Sequence, residues 1–150
     1  MVNIKYFHRK RRVTFIFSRV IVGLKMDKVI KGIVEQAKKD TLVLAVALFG
    51  SYARKERHND IDVCIFLKRG KYSAKQLSQK KLEYTSENEK YDIQIFQQLP
   101  LYIQERIMKE GKFIYGEGSM ELYDICFEML RNLEHYKPFY KEYLEVVANG

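Results

Sequence analysis

The sequence predicts an α/β chain of the α+β kind, a small sheet flanked by helices and closed by a helical C-terminal tail. Three observations predict it. Short, mainly apolar runs at Leu42–Phe49, Asp60–Leu67 (which carries two acids) and Tyr91–Phe96 have the length and side-chain character of strands. Segments with helical spacing of apolar residues lie between and around those runs. Beyond Gly116-Glu117-Gly118, residues Leu122, Cys126, Met129, Leu133, Tyr136, Tyr140, Tyr143 and Val147 recur at alternating steps of four and three, a helical stripe. A chain of 150 residues has room for one domain with a real core, and its 47% hydrophobic content excludes global disorder.

Residues 1–25 form a basic leader. They contain Lys5, Arg9, Lys10, Arg11, Arg12, Arg19 and Lys25 and no acid, so they carry +7 of the formal net charge of +8. The basic balance therefore belongs to the leader, which argues against a nucleic-acid-binding body. The apolar stretch Val13–Phe17 is broken by Ser18 and Arg19, has no small-residue cleavage site after it, and is too short to span a membrane. Three readings of the leader stay open: an upstream extension with Met26 as the working start, an extra strand or helix on the domain, or an arm that touches nucleic acid or an anionic surface.

From Met26 to Lys39, Val29, Ile33, Val34 and Ala37 recur at helical spacing, and Asp27 near the start suits the helix dipole. Leu42–Phe49 is continuously apolar, as a strand buried on both faces must be. Gly50 permits a sharp turn, and Ser51 stands where a short helix begins with free backbone N–H groups. A charged loop, Arg54 to Asn59, leads into a second strand, Asp60–Leu67. Lys68–Lys71 is a turn, and Ser73 caps a polar helix to about Glu87 with a thin apolar face of Leu77, Leu82 and Tyr84. Tyr91–Phe96 is a third strand, with Ile93 and Ile95 on one face and Asp92 and Gln94 on the other. Pro100 starts a helix to Lys109 that Gly111 ends, and Phe113–Tyr115 makes an edge strand. Pro138 predicts that the tail is one kinked helix or two. The tail stripe either packs on the chain's own sheet or presents Tyr136, Tyr140 and Tyr143 to a partner.

Thr41–Leu67 concentrates the chemistry. Asp60 and Asp62 sit two apart at the start of an apolar strand, so they share a face. Like charges repel there, and a bound divalent cation removes the repulsion. Turn capping is the structural alternative. Arg54, Lys55 and Arg57 read either as phosphate contacts or as solvated loop charges, and His58 reads as a loop residue rather than a ligand. Cys64 and Cys126 have no CxxC neighbour or His cluster, so they read as buried hydrophobes in a reducing cytosol, with a disulfide or zinc site as the alternative. The expected location is cytoplasmic, without a membrane partner.

Gly50-Ser51, Ala53-Arg54 and Asp60-Ile61-Asp62, followed by Tyr91-Asp92-Ile93 and by Leu99-Pro100-Leu101 through Gly111–Tyr115, resemble the DNA polymerase β-like nucleotidyltransferases. The match is nearest to the minimal, MNT type and covers roughly residues 26–115. Two departures stand out: Lys55 replaces a glycine usual after the arginine, and eight residues separate Ser51 from Asp60, a shorter loop than is usual. The resemblance implies a nucleotidyltransferase fold with a small mixed sheet, a domain at 26–115, and a helical extension at 116–150 packed on it. It implies Gly50, Ser51 and Arg54 as the nucleotide anchor. It implies Asp60, Asp62 and Asp92 as catalytic acids and metal ligands, with Mg²⁺, two ions, as cofactor. The implied reaction moves AMP from ATP to a hydroxyl, a tyrosine above all, of a HEPN-type toxin, with this chain as its antitoxin. Two other readings remain: a non-catalytic antitoxin that neutralises by contact, and a nucleotidyltransferase acting on a small molecule or RNA.

Overall fold

The structure, a computed structural model, describes residues 26–57 and 60–149. The leader and His58 lie outside the described residues. Helix α1 (Lys28–Lys39) begins at Asp27, whose carboxylate accepts the Ile30 N–H at 3.0 Å. Strand β1 (Val43–Phe49) runs into a four-residue helix α2 (Gly50–Ala53), and strand β2 (Ile61–Leu67) returns antiparallel to β1. Helix α3 (Ala74–Tyr84) crosses to strand β3 (Tyr91–Ile95), which pairs parallel with β2. Helix α4 (Leu101–Glu110) and strand β4 (Lys112–Tyr115) follow, with β4 antiparallel to β1. Helix α5 (Met120–Asn149) ends the chain. The sheet is mixed, in the order β3-β2-β1-β4.

Apolar cores lie on both faces of this sheet. On one face α1 and α3 press Ile30, Ile33, Ala37, Leu77 and Tyr84 onto Val46, Val63, Ile65 and Ile93. On the other, Ile107 and Met108 of α4 and Leu122, Cys126 and Met129 of α5 cover Ala47, Cys64 and Phe66. This explains why β1, and β2 from Val63 onward, are continuously apolar: consecutive side chains meet one core or the other. Phe66 stacks on Phe96 with ring centroids 4.3 Å apart and touches Phe113 at 5.3 Å, pairs worth about 0.5–1.5 kcal/mol each beyond their burial. Both cysteines are buried thiols, and burial pushes the pKa of Cys126 up to about 12.

The structure shifts several sequence-based boundaries. Ile30 rather than Val29 is fully buried on α1. Helix α3 has the expected Ser73 cap, completed by Gln76, but ends at Tyr84 rather than near Glu87. Leu82 is 67% exposed, because it lies off the Leu77–Tyr84 face that meets the sheet. Strand β3 stops at Ile95, and Phe96–Gln98 coil into a single 3₁₀ turn. Helix α5 continues past Pro138 as one element. Its first half buries Leu122, Ile125, Cys126, Met129 and Leu133, whereas Tyr136, Phe139, Tyr140 and Tyr143 are 45–68% exposed. Among the described residues no helix is long and apolar enough to cross a membrane.

Candidate functional site

The site forms where β1, β2 and β3 place three features at one end of the sheet. β1 delivers Phe49 opposite Asp62 of β2, and β2 delivers Asp62 beside Asp92 of β3. Ile61, Val63, Tyr91 and Ile93 belong to the α1/α3 core, so strand alternation turns Asp62 and Asp92 to the opposite face. Asp60 precedes β2 in an exposed bend rather than lying within the strand. Asp62 is half-buried and Asp92 exposed on its edge strand.

Gly50 follows Phe49 with φ +69°, a left-handed conformation that glycine adopts without steric penalty. A Cβ at this position would stand 2.1 Å from Asp62 Oδ2, so the glycine leaves room for the carboxylate as well as turning the chain. Ser51 then lies within α2, whose closing turn is made by the Arg54 N–H to Gly50 O at 3.2 Å and the Glu56 N–H to Ser51 O at 3.0 Å. Ala53, 2% exposed, anchors this turn to the body.

The electrostatics tie the three acids together. Burial first, then the negative charges of Asp92 and Asp60, raise the Asp62 pKa above its ordinary 3.8, and Arg54 partly opposes them. The carboxylates thus share a field, yet among the described residues no three His, Cys, Asp or Glu side chains converge closely enough to cage a cation as they stand. Asp62 and Asp92 leave the same face of paired strands, so side-chain rotation can bring their carboxylates closer around a cation. Oxygen-only carboxylate donors with uncompensated repulsion suit a hard divalent cation such as Mg²⁺.

Arg54 is engaged on two sides. Its Nε and Nη2 donate to the two carboxylate oxygens of Glu56 at 2.9 and 3.0 Å, and Nη1 donates to Glu110 at 3.1 Å, tying α2 to the end of α4. Lys55 holds φ +60°, a left-handed conformation unusual for a long side chain. A cavity of about 310 Å³ between Leu67, Tyr72 and α3 lies at the far end of β2 and holds none of the acids.

Two residues of the site region carried no functional reading in sequence. Gln94 donates its amide to Asp92 Oδ2 at 2.8 Å, and Lys81 of α3 donates to Gln94 Oε1 at 3.2 Å. The alternation of β3 put Gln94 on the face of Asp92; the bond itself depends on the approach of α3 and has no sequence signal.

The profile of the polymerase beta nucleotidyltransferase family matches residues 31–119, more than half of the chain. The chain belongs to that family. Within it, a protein of Methanocaldococcus jannaschii named as a candidate protein adenylyltransferase is 39% identical over 79 residues, which is 50% of this chain and 57% of that relative. Fold likeness extends to one chain of a toxin–antitoxin complex solved with AMP-PNP, with TM-score 0.55 and 14% identity, covering 81% of this chain and 94% of that one. It also extends to a chain in the complex of a tri-AMPylated Shewanella oneidensis HEPN toxin with an MNT antitoxin, with TM-score 0.51 and 14% identity, covering 80% of this chain and 91% of that one. The mixed sheet, with helices on both faces and a C-terminal helix, is the nucleotidyltransferase fold expected of such a family member.

Proposed function

We propose that this chain transfers AMP from ATP to a hydroxyl of a partner protein, a tyrosine of a HEPN-type toxin, and acts as that toxin's antitoxin. The observation that carries the reading is the packing of the Gly50 turn against Asp62, with Asp92 in register beside it. The M. jannaschii relative's name and the AMPylated toxin in a complex of like fold support the reaction class and the kind of partner.

In this reading Gly50 and Ser51 anchor the triphosphate through backbone N–H groups and one hydroxyl, with Arg54 near its charge. Asp60, Asp62 and Asp92 would hold two Mg²⁺ ions, which when bound supply charge neutralisation along the phosphates. The acceptor oxygen forms a bond to the α-phosphorus, the bond from that phosphorus to the pyrophosphate breaks, and pyrophosphate leaves. In this reading Asp92 takes the hydroxyl proton. Positioning and electrostatics then supply most of the rate.

We assign residues 26–115 as the nucleotidyltransferase body and 116–150 as its extension. The distal half of α5, with Tyr136, Phe139, Tyr140 and Tyr143 exposed, is the surface assigned to the toxin, since interface cores are enriched in aromatics. The buried, unpaired thiols of Cys64 and Cys126 fit a cytoplasmic setting.

The test is intact-mass measurement of the partner after incubation with this protein and Mg-ATP. The expected result is one or more added AMP groups, abolished by Asp92→Asn, and Mg-ATP binding lost in Asp60→Ala with Asp62→Ala. The rival reading, neutralisation by contact alone, draws on the acids that do not converge and on Lys55 in place of the usual glycine. That rival wins if wild type adds no AMP while Asp92→Asn neutralises the partner equally well.

A further inference from the structure

We propose that Gln94 is the positioning residue for Asp92, oriented in turn by Lys81, so that the Asp92 carboxylate is presented to a divalent cation in one orientation. The inference rests on the metal role assigned to the acids. Asp92 stands exposed on an edge strand, where an aspartate left to itself exchanges between rotamers. Asp92 and Gln94 are two apart on β3, so both side chains leave the same face, and the longer one reaches back: Gln94 Nε2 lies 2.8 Å from Asp92 Oδ2.

The direction of that amide is decided by Lys81. An ammonium group donates only, so the Lys81 Nζ, 3.2 Å from Gln94 Oε1, can be satisfied there by the carbonyl end alone. The amide NH₂ must then face Asp92. The positive charge polarises the amide and strengthens its N–H as a donor, while the neutral amide keeps that charge one side chain away from the acids. One carboxylate oxygen of Asp92 is thereby engaged and the other, Oδ1, is left for a cation. Such outer hydrogen bonds orient metal-ligating side chains and fix their basicity.

The experiment titrates Mn²⁺ alone, without nucleotide, by calorimetry into wild type, Gln94→Leu, Lys81→Met, Lys81→Arg and the Asp60→Ala/Asp62→Ala pair, with thermal melts of each. Gln94→Leu should weaken Mn²⁺ binding by about 10–100-fold. Lys81→Met should weaken it several-fold, and Lys81→Arg, which keeps a donor, should restore it. Melts should change little, because both side chains are only half-buried. Unchanged or tighter Mn²⁺ binding in Gln94→Leu, with binding lost in the paired alanine variant, overturns the positioning role and leaves the metal reading standing. Wild type that binds no Mn²⁺, or a paired alanine variant that binds it equally, removes the metal reading and the inference with it.

Discussion

Gly50→Ala is the substitution that most directly probes the geometry of the site. Two separate effects add. The backbone is left-handed at φ +69°, which for a residue with a Cβ costs about 1–2 kcal/mol. The new methyl would also stand 2.1 Å from Asp62 Oδ2, and 3.1 Å from its Cγ, so the carboxylate must move. Asp62 is short and half-buried, so its carboxylate has to turn away from Gly50 and out of its present position in the site. For a chain of this size, about 1–2 kcal/mol corresponds to a melting temperature lower by roughly 2–8 °C. Urea unfolding in the presence of a chelator measures the stability, and Mn²⁺ titration at low temperature measures the site in the folded population. The two effects separate in a double-mutant cycle. In an Asp62→Ala background the nearest remaining atom is the residue-62 Cβ at 3.6 Å, an ordinary contact, so Gly50→Ala should there cost only its backbone share. Equal costs in both backgrounds, or unchanged Mn²⁺ binding in Gly50→Ala, would refute the argument that Gly50 is there to admit Asp62.

Three other expectations follow from other contacts. Asp40 accepts from Lys80 at 2.8 Å and from the Tyr84 hydroxyl at 3.0 Å; although burial pushes its pKa up, these bonds and the Leu42 N–H outweigh it and hold the pKa below the ordinary 3.8. A lowered folded-state pKa stabilises above the unfolded value and is lost as pH falls through the folded one, so Asp40→Asn should cost about 1–2 kcal/mol in urea at pH 7 and converge with wild type well below pH 3.8. Lys55→Gly should raise stability by about 0.5–1 kcal/mol, the left-handed penalty relieved less the extra chain entropy of glycine, read as a higher urea midpoint; a lower midpoint would show that the Lys55 side chain repays its strain. Ending the chain after Glu134 should keep Leu122–Leu133 packed and the melt within a few degrees of wild type, while co-elution with the proposed partner on size exclusion is lost.

What could be read in the sequence was what depends on local pattern. Val43–Leu48 and Val63–Leu67 announce strands because burial on both faces forces continuous apolarity, whereas Leu42, expected in the first strand, is 44% exposed in the turn before it. Gly50 announces a turn, but its second role rests on the Phe49–Asp62 register, a pairing no local pattern encodes. Leu82 misled because composition favours it as core, while helix phase puts Leu77 and Tyr84, seven apart, on the sheet instead. The stripe along α5 keeps one period throughout, so it could not show that burial along the helix ends at Leu133. Lys81 and Gln94 went unread because their contact needs α3 to lie against β3.

The placement of Asp92 is itself a product of the core. β3 is an edge strand, paired on one side only, and a slip of one residue against β2 would carry Asp92 into the α1/α3 core and Ile93 out to the acids. What forbids the slip is the burial of Tyr91, Ile93 and Ile95, 7%, 2% and 0% exposed, which would all be lost together. At about 1.5–3 kcal/mol for each large apolar side chain, the correct register is favoured by several kcal/mol, more than the repulsion between neighbouring carboxylates in a half-exposed setting can undo. The same alternation that buries the isoleucines therefore holds Asp62 and Asp92 side by side, against their mutual repulsion. Burial first, and then the charges of Asp92 and Asp60, hold the Asp62 pKa above its ordinary value, and the repulsive share is what a bound cation would offset.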